Sequence, residues 1–219
     1  MIKQIVILGA NGFGREVAQL IKDINESNYE WELIGYFDDY PSSHGEIRNG
    51  FPVIGPISLL ENDNYNDIYV VCAFGNPNMK KTTIEKAIQL NNTIKFATLI
   101  HPTAVIGDGT YIGAGSIICA GNVITTNIKI NNHVIINISS TIGHDSIIED
   151  YATILPGANI SGNVILHEGV DIGTGAAIIP KVEIGGYTVV GAGTVVTKSL
   201  PEHCTAVGVP AKVIKVHKP

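Results

Sequence analysis

Residues 100–124 read IHPTAVIGDGTYIGAGSIICAGNVI, and an aliphatic residue stands at every sixth position of this stretch. The spacing continues without a break as far as Val196. A second series, four residues after the first, is mostly small or β-branched, as at Ala104, Thr110 and Ser116. A strict period of six matches neither the 3.6-residue period of an amphipathic helix nor the two-residue period of a strand.

This period of six predicts a parallel β-helix in the shape of a triangular prism. Each hexad forms one side, with the aliphatic residue inside, the small residue beside it, and Gly, Asn or Asp turning the corner. Three sides make one coil of eighteen residues, so the seventeen hexads between Ile100 and Val196 predict five to six coils. The tail after Pro201 is predicted to leave the prism. A solenoid can also be a scaffold without chemistry, and the period alone leaves that alternative open.

The first 98 residues follow a different pattern, that of alternating strands and helices. Buried strands are predicted at Ile5–Leu8, Leu33–Phe37 and Ile68–Phe74. Helices are predicted at Arg15–Ile24 and from Pro77 to about Leu90. This order predicts a small parallel α/β sheet, in which ligands bind at the carboxyl ends of the strands. We therefore expect two domains, residues 1–98 and residues 99–219.

A glycine-rich loop, Gly9–Gly14 (GANGFG), follows the first predicted strand. Its spacing is G-x-x-G-x-G, which differs from the G-x-G-x-x-G of dinucleotide sites. Such glycines let the backbone approach a phosphate at a helix N-terminus, although a tight strand–helix turn would also need them. Asp38 and Asp39 end the second predicted strand, where a carboxylate could accept hydrogen bonds from the base or sugar of a nucleotide or nucleotide-sugar. A solvated turn before Pro41 is the alternative.

His144 and Asp145 fall at a predicted corner of the prism, so their side chains are expected to point outward. Histidine is the most common general base, and an adjacent carboxylate can hold one ring nitrogen and support the imidazolium that forms. Steps of eighteen place Gly162, Pro180 and Lys198 on the edge of His144. A second, smooth edge reads Ala120, Ile138, Pro156, Thr174 and Ala192.

If prisms pack in threes, a groove between them would accept an extended thioester arm. The phosphates of that arm would then meet Lys198 or Lys212. A nearby backbone N–H, such as that of Gly162, would stabilise the oxyanion. No cysteine stands where it could form an acyl-enzyme.

Composition excludes several classes of protein. The net charge of −6 lacks the positive field that gathers nucleic acid or anionic membrane. Three widely spaced cysteines suggest neither a disulfide framework nor a C-x-x-C site, and buried thiols in a reducing cytosol fit them best. The N-terminal apolar strand is too short for a signal peptide or a membrane span, so a cytoplasmic location is expected. No close histidine pair is present, and no metal is expected.

The whole chain resembles the bacterial sugar acetyltransferases that join an N-terminal Rossmann-like domain to a left-handed β-helix. This family includes sialic acid O-acetyltransferases and UDP-4-amino-sugar N-acetyltransferases. The resemblance rests on GANGFG at Gly9–Gly14, Phe37-Asp38-Asp39, Gly75-Asn76, His101–Ala104, Ile142–Asp145, GANISGNV at Gly157–Val164, and Gly208–Lys212.

The resemblance implies a homotrimer with active sites between subunits, in which His144 is the general base and Asp145 supports it. It implies that acetyl-CoA binds near Thr153, Gly162, Thr174 and Ala192. It implies that a nucleotide-sugar is bound by Asn11, Gly12, Phe13, Asp38, Asp39 and Gly75. The aminosugar enzymes often carry histidine where Phe13 stands and can also carry it where Thr153 stands, so these two positions depart from the pattern.

We therefore expect an acetyl-CoA-dependent acyltransferase that N-acetylates a UDP-linked 4-amino-sugar for surface glycan biosynthesis. One alternative is O-acetylation of a sialic acid or a related glycan sugar. Alternatives of another class are a non-catalytic trimeric scaffold and a nucleotide sensor.

Overall fold

The structure is a computed structural model that describes residues 2–218. Its internal contacts define two units, the first ending at Pro102 and the second beginning at Thr103. The first unit therefore includes Leu99–Ile100, a two-residue strand that contacts the first helix. Each unit is described separately below.

The first unit is a Rossmann-like α/β domain. Its strands are β1 (Lys3–Leu8), β2 (Trp31–Phe37), β3 (Ile47–Arg48), β4 (Phe51–Gly55), β5 (Tyr69–Cys72) and β6 (Lys95–Phe96). Its α-helices are α1 (Gly12–Ser27) and α2 (Pro77–Leu90), and 3-10 turns lie at Pro41–Ser43, Ile57–Glu61 and Asp63–Tyr65. The strand order is β3-β4-β2-β1-β5-β6, and all neighbours are parallel except β3 and β4.

The predicted strands and helices of this unit are present, and β6 is an edge strand that was not predicted. Two further differences concern α1 and the β3–β4 hairpin. Helix α1 begins at Gly12, three residues before the predicted start, because the first N–H groups of a helix need no intrahelical acceptor and the first turn therefore tolerates glycine. The β3–β4 hairpin was not predicted. Its turn is Asn49-Gly50, and both residues have a positive φ (50° and 86°), which is the backbone that a two-residue hairpin requires.

Gly14 allows α1 to pack closely on the strand that precedes it. A Cβ at this position would lie only 2.1 Å from the carbonyl oxygen of Gly9. Behind this contact, the buried face of α1 consists of aliphatic residues at helical spacing, namely Val17, Ala18, Leu20, Ile21 and Ile24. The loop between β1 and α1 is therefore tightly defined by its own packing.

The second unit is a left-handed parallel β-helix. The two-residue strands that build it follow Leu99–Ile100 (β7) at intervals of six: Val105–Ile106 (β8), Tyr111–Ile112 (β9), Ile117–Ile118 (β10), Val123–Ile124 (β11), Lys129–Ile130 (β12), Ile135–Ile136 (β13), Thr141–Ile142 (β14), Ile147–Ile148 (β15), Thr153–Ile154 (β16), Asn159–Ile160 (β17), Ile165–Leu166 (β18), Asp171–Ile172 (β19), Ala177–Ile178 (β20), Glu183–Ile184 (β21), Val189–Val190 (β22) and Val195–Val196 (β23). Every strand ends on an aliphatic residue of the predicted series.

These strands stack into three faces of a prism. The first face contains β10, β13, β16, β19 and β22, the second contains β8, β11, β14, β17, β20 and β23, and the third contains β9, β12, β15, β18 and β21. Partners are eighteen residues apart, as in Thr141↔Asn159. The aliphatic residues from Ile118 onward fill the interior, and small residues such as Ser140 and Ala158 are buried beside them.

The corners of the prism share one backbone feature. A positive φ recurs at every sixth residue, at Gly109, Gly115, Gly121, Asn127, His133, Ser139, Asp145, Tyr151, Gly157, Asn163, Gly169, Gly175, Lys181, Tyr187 and Gly193. Glycine and asparagine adopt this conformation easily, but tyrosine and lysine rarely do. The repeated coil geometry therefore imposes the corner conformation on residues that would not choose it locally.

The prediction that the chain leaves the prism after Pro201 was wrong by one strand. Strand β24 (Cys204–Val207) pairs in parallel with β22, with Val189 opposite Thr205, and so extends the first face. Only then does the chain reverse into β25 (Lys212–Val216), which is antiparallel to β24. The period breaks here because β24 follows β22 by sixteen residues rather than eighteen, a shift that a search in steps of six does not detect.

Candidate active site

His144 and Asp145 form a hydrogen-bonded pair on an exposed corner between β14 and β15. His144 Nδ1 lies 2.7 Å from Asp145 Oδ2, and the two side chains are 57% and 50% exposed. Because an ionised carboxylate can only accept hydrogen bonds, Nδ1 carries the hydrogen and donates it. In the neutral imidazole, the other ring nitrogen, Nε2, then keeps its lone pair and can accept a proton.

The backbone at this corner fixes the direction of the pair. Asp145 has a φ of 59°, and its N–H donates to the carbonyl oxygen of Thr126, one coil earlier, at 3.2 Å. Aspartate tolerates this left-handed conformation better than most residues do. The side chain of Asp145 is thus brought beside the ring of His144 by the geometry of the corner itself.

Gly162 lies directly beside the imidazole, one coil further along the same edge. The N–H of Asn163 donates to the carbonyl oxygen of His144 at 2.8 Å, which joins the two corners. A Cβ at Gly162 would lie 2.5 Å from His144 Nε2, so glycine leaves the space that the ring occupies. Within residues 2–218, the N–H of Gly162 has no hydrogen-bond acceptor, and so it is a free donor close to the candidate base.

The edge of His144 continues as the eighteen-residue period predicted. Lys181 donates its N–H to the carbonyl oxygen of Gly162 at 3.2 Å, so the corner that contains Pro180 lies one coil beyond the corner of Gly162. The strands of the following coil pair as Ile178↔Val196, and Lys198 follows Val196 by two residues with an exposed side chain. The structure thus places the corners of His144, Gly162 and Pro180 along a single edge, and the place of Lys198 on that edge stays a prediction.

The other residues predicted to contact acetyl-CoA lie elsewhere in the prism. Thr174 and Ala192 occupy a different corner, where the N–H of Gly193 donates to the carbonyl oxygen of Thr174 at 2.8 Å. Both are exposed. Thr153 lies in β16 on the first face and is only 1% exposed. One chain therefore does not bring all of these residues together, and their contact with acetyl-CoA stays a prediction.

In the first unit, the predicted substrate-binding residues follow three adjacent parallel strands at their carboxyl ends. Asn11, Gly12 and Phe13 follow β1 and begin α1. Asp38 and Asp39 follow β2, and Gly75 follows β5. Since the order is β2-β1-β5, these segments share one edge of the sheet, where ligands of such sheets bind. Binding of a nucleotide-sugar by these residues stays a prediction.

Asp38 is buried and stabilises the glycine-rich loop from within. Its Oδ2 accepts the N–H of Ala10 at 2.8 Å, and its Oδ1 accepts the N–H of Tyr40 at 2.9 Å. Its backbone carbonyl oxygen lies 2.8 Å from Nε2 of His44. Both carboxylate oxygens of Asp38 are thus already used to shape the loop.

Asp39 is more exposed and forms an ion pair with α2. Its Oδ2 lies 2.6 Å from Lys86 Nζ, and its Oδ1 accepts the N–H of Ile57 at 2.9 Å. Burial alone would raise the pKa of Asp39, but the Lys86 ammonium and the Ile57 N–H, with His44 nearby, outweigh it and lower that pKa. The carboxylate is therefore charged at neutral pH and tied to Lys86.

Sequence reasoning missed two cations of this region, Lys86 and Arg48. Arg48 Nη1 donates to the carbonyl oxygen of Ala10 at 2.5 Å, and Lys86 pairs with Asp39. Each contact joins residues at least 38 positions apart, and neither cation belongs to a motif. Only the fold brings them to the loop. Asn76 has a local role, since its side chain accepts the N–H of Met79 and caps α2.

A cleft of about 510 Å³ opens at another part of the second unit. Its lining includes Glu149, His167, Glu183 and Tyr187, and none of the predicted site residues. This cleft therefore lies away from the residues proposed for catalysis.

In the part of the chain that the structure describes, no set of three or more His, Cys, Asp or Glu side chains is arranged to hold a metal ion. No helix among residues 2–218 is both long and apolar enough to cross a membrane.

Comparisons with known proteins agree with this architecture. The PglD N-terminal domain matches residues 4–87. GDP-perosamine N-acetyltransferase of Escherichia coli O157:H7 is 33% identical over 174 residues, which cover 78% of this chain and 76% of that protein. Serine acetyltransferase of Haemophilus influenzae is 29% identical over 149 residues, and the chain spans about half the length (48%) of that relative.

Solved structures match nearly the whole chain. The acetyltransferase domain of PglB from Neisseria gonorrhoeae superposes with a TM-score of 0.87 and 32% identity, covering 97% of this chain and 100% of that one. PerB from Caulobacter crescentus, in complex with CoA and GDP-perosamine, superposes with a TM-score of 0.88 and 28% identity, covering 98% and 99%.

The Rossmann-like unit and the left-handed β-helix together have the architecture of the solved acetyltransferase structures named above. The chain belongs to the family of bacterial sugar N-acetyltransferases, and its residues 4–87 match the PglD N-terminal domain.

Proposed function

We propose that this protein transfers the acetyl group of acetyl-CoA to the amino group of a nucleotide-linked amino sugar. The observation that carries the proposal is the His144–Asp145 pair with Nε2 facing Gly162. A base with its lone pair exposed and a free backbone N–H beside it are the two groups that acyl transfer to an amine requires. Relatives named as acting on GDP-perosamine and solved with CoA support the donor and the acceptor class.

In the proposed reaction, the sugar amine attacks the thioester carbonyl carbon while His144 Nε2 removes a proton from the nitrogen. Asp145 stabilises the imidazolium that forms, because its carboxylate already accepts the Nδ1 hydrogen. The Gly162 N–H stabilises the oxyanion of the tetrahedral intermediate. Collapse of that intermediate breaks the C–S bond, and His144 returns its proton to the leaving thiolate.

Lys198 suits the phosphates of acetyl-CoA. Three coils separate it from His144, which at roughly 4.8 Å per coil is roughly 14 Å along the edge. An extended pantetheine arm with its thioester at Gly162 would then place the phosphates of acetyl-CoA near the ammonium of Lys198. Gly162 and Pro180 lie between them and present no charge.

A homotrimer would bring the remaining predicted residues to the same place. Thr174 and Ala192 lie on a different corner from His144, and the second face, which contains β14 and β20, separates the two corners. A second copy that packs against this face would put its Thr174 corner beside the His144 edge of the first. Trimer formation is therefore part of the proposal, with the acetyl-CoA groove between copies.

The nucleotide and the location follow from the same reasoning. The glycine-rich loop at the start of α1 suits a diphosphate of any nucleotide, so UDP, GDP and dTDP sugars are all candidates. The three cysteines are free and buried, which fits a reducing compartment and supports a cytoplasmic location.

The experiment is a turnover assay with acetyl-CoA and a panel of acceptors, in which release of free CoA thiol is measured. The panel contains UDP-, GDP- and dTDP-linked 4-amino-4,6-dideoxy sugars, sialic acids and their CMP forms, and His144→Ala is the control. Thiol release with a nucleotide-linked amino sugar, abolished in the control, is the expected result. Thiol release with sialic acids alone would contradict the proposed amino-sugar acceptor and would favour O-acetylation of a sialic acid. Binding of acetyl-CoA without turnover on any acceptor would contradict the proposal.

A further inference from the structure

The peptide groups of Ala10, in the glycine-rich loop, are held from both sides by side chains distant in sequence. The N–H of Ala10 donates to Asp38 Oδ2 at 2.8 Å, and its carbonyl oxygen accepts from Arg48 Nη1 at 2.5 Å. Ala10 is fully buried. Because both polar groups of this residue are engaged, the backbone that enters α1 has one orientation.

The Arg48 guanidinium is itself fixed within the first unit. Its Nε and Nη2 donate to Glu46 Oε2 at 3.1 and 2.9 Å, and its side chain is only 23% exposed. The backbone carbonyl oxygen of Arg48 accepts the hydroxyl of the buried Tyr36 at 3.2 Å. The β3–β4 hairpin therefore delivers the guanidinium to Ala10 in a defined position.

The orientation of Ala10 decides where the first donors of α1 point. Asn11 and Gly12 follow directly, and the first intrahelical bond runs from the N–H of Arg15 to the carbonyl oxygen of Asn11 at 3.1 Å. The N–H groups before Arg15 have no acceptor within the helix, and donors of this kind bind phosphate oxygens. Rotation of the Ala10 peptide would turn them away from a bound diphosphate.

We propose that Arg48 is a positioning residue for the acceptor substrate, which holds the Ala10 carbonyl so that the start of α1 is preset for the diphosphate of the nucleotide-sugar. This inference rests on the proposed function for the class of acceptor. Arginine is suited to the task because its planar fork reaches Glu46 and Ala10 at once. A lysine ammonium could replace the contact with Ala10 but could not make both contacts in the same geometry.

The test compares the full-length wild type with Arg48→Met and Arg48→Lys. Calorimetric titration with UDP, GDP and dTDP gives the Kd, and steady-state assays give KM for each substrate. We expect Arg48→Met to weaken binding of the preferred nucleoside diphosphate, and to raise the KM of the acceptor, by about tenfold to a hundredfold. The kcat and the KM of acetyl-CoA should stay within about twofold, and Arg48→Lys should recover part of the loss.

Lys22→Met is the matched control, because Lys22 Nζ donates to the carbonyl oxygen of Asn49 at 3.2 Å in the same hairpin without contacting Ala10. It removes one positive charge, and nucleotide binding should not change. Equal Kd values in Arg48→Met and the wild type, or an equal loss in Lys22→Met, would overturn the inference, as would a wild type that binds no nucleoside diphosphate. If Arg48→Met does not fold, the Kd of the nucleoside diphosphate is compared between Arg48→Lys and the wild type, and an equal Kd would overturn the inference.

The two proposals can fail separately. A wild type whose nucleotide binding depends on Arg48 but which acetylates no amino sugar would refute the proposed function and leave the role of Arg48 standing. Turnover of a nucleotide-linked amino sugar that is indifferent to Arg48 would do the opposite.

Discussion

At the scale of single residues, His144 carries the chemistry proposed here. We expect His144→Ala to lower kcat by about 10²- to 10⁴-fold, the usual contribution of a general base. Steady-state thiol release from acetyl-CoA with a nucleotide-linked amino sugar measures this effect. Near-normal turnover of the variant would contradict the role of His144.

Much of this pair could be predicted from the sequence, and its neighbours only in part. The eighteen-residue period put His144 beside Gly162, and the structure places Gly162 against the imidazole. Sequence spacing could not predict that Asp38 faces inward and accepts the N–H of Ala10. The burial of a carboxylate depends on the loop that covers it. Nor could sequence spacing find Arg48, whose contact with Ala10 spans 38 residues.

At the scale of the prism corner, Gly162 is expected to keep the base in place without contributing much to stability. In Gly162→Ala, the new methyl group would meet the imidazole ring at 2.5 Å, and the exposed ring can swing away at small cost. We therefore expect kcat to fall by about tenfold to a hundredfold, while the Tm changes by no more than about 2 °C.

Gly186→Ala is the matched control for this change. It is also a corner position, where a Cβ meets nothing closer than the carbonyl oxygen of Glu168 at 3.3 Å, and it is away from the His144 edge. Its kcat should equal that of the wild type. An unchanged kcat in Gly162→Ala would mean that catalysis does not require the imidazole of His144 to lie against residue 162.

At the scale of secondary-structure elements, an ion pair joins α2 to the end of β2. Lys86 lowers the pKa of Asp39, so the pair stabilises the fold above the unfolded pKa of about 4, and this stabilisation is lost as the pH falls through the lowered folded value. Because both side chains are nearly half exposed, we expect Lys86→Met to lower the free energy of unfolding at pH 7 by at most about 1 kcal/mol. Urea unfolding at pH 7 and pH 3 measures it.

The difference between the variant and the wild type should shrink at pH 3, because this pH lies below the unfolded pKa of about 4 and the stabilisation is lost as the pH falls towards the lowered folded pKa. A difference that is equal at both pH values would mean that Lys86 acts through the packing of its aliphatic part instead.

The period of six predicts most strands of the β-helix but not all of its features. The period of six predicted the two-residue strands, because each hexad must bury one aliphatic residue to close the prism. It could not foresee β24, where a sixteen-residue step replaces eighteen, since local spacing carries no sign of the pairing with β22. The left-handed backbone conformation of Tyr151 and Lys181 could not be predicted from the sequence either. The neighbouring coils impose it, although these residue types rarely adopt it.

At the scale of the whole molecule, the proposed trimer predicts that two inactive variants complement each other. His144→Ala removes the base from one edge, and Thr174→Trp would block the other corner that the groove is proposed to use. Each homotrimer should then be nearly inactive. In a mixed trimer, some grooves would pair an intact His144 edge of one copy with an intact Thr174 corner of the next. Refolding the two variants together at equal amounts should restore up to about a quarter of wild-type turnover, if copies assort at random.

Sedimentation of the wild type at about three times the mass of the 23.3 kDa chain is the companion measurement. The matched control replaces Thr174→Trp by Gly162→Ala, which impairs the same edge as His144→Ala. No mixed trimer could then combine two intact edges, so little activity should return. If each variant alone is inactive and the first mixture regains nothing, His144 and Thr174 serve a site within one chain, because random assortment would otherwise produce intact sites. A Thr174→Trp homotrimer that keeps wild-type turnover would place the donor groove away from Thr174.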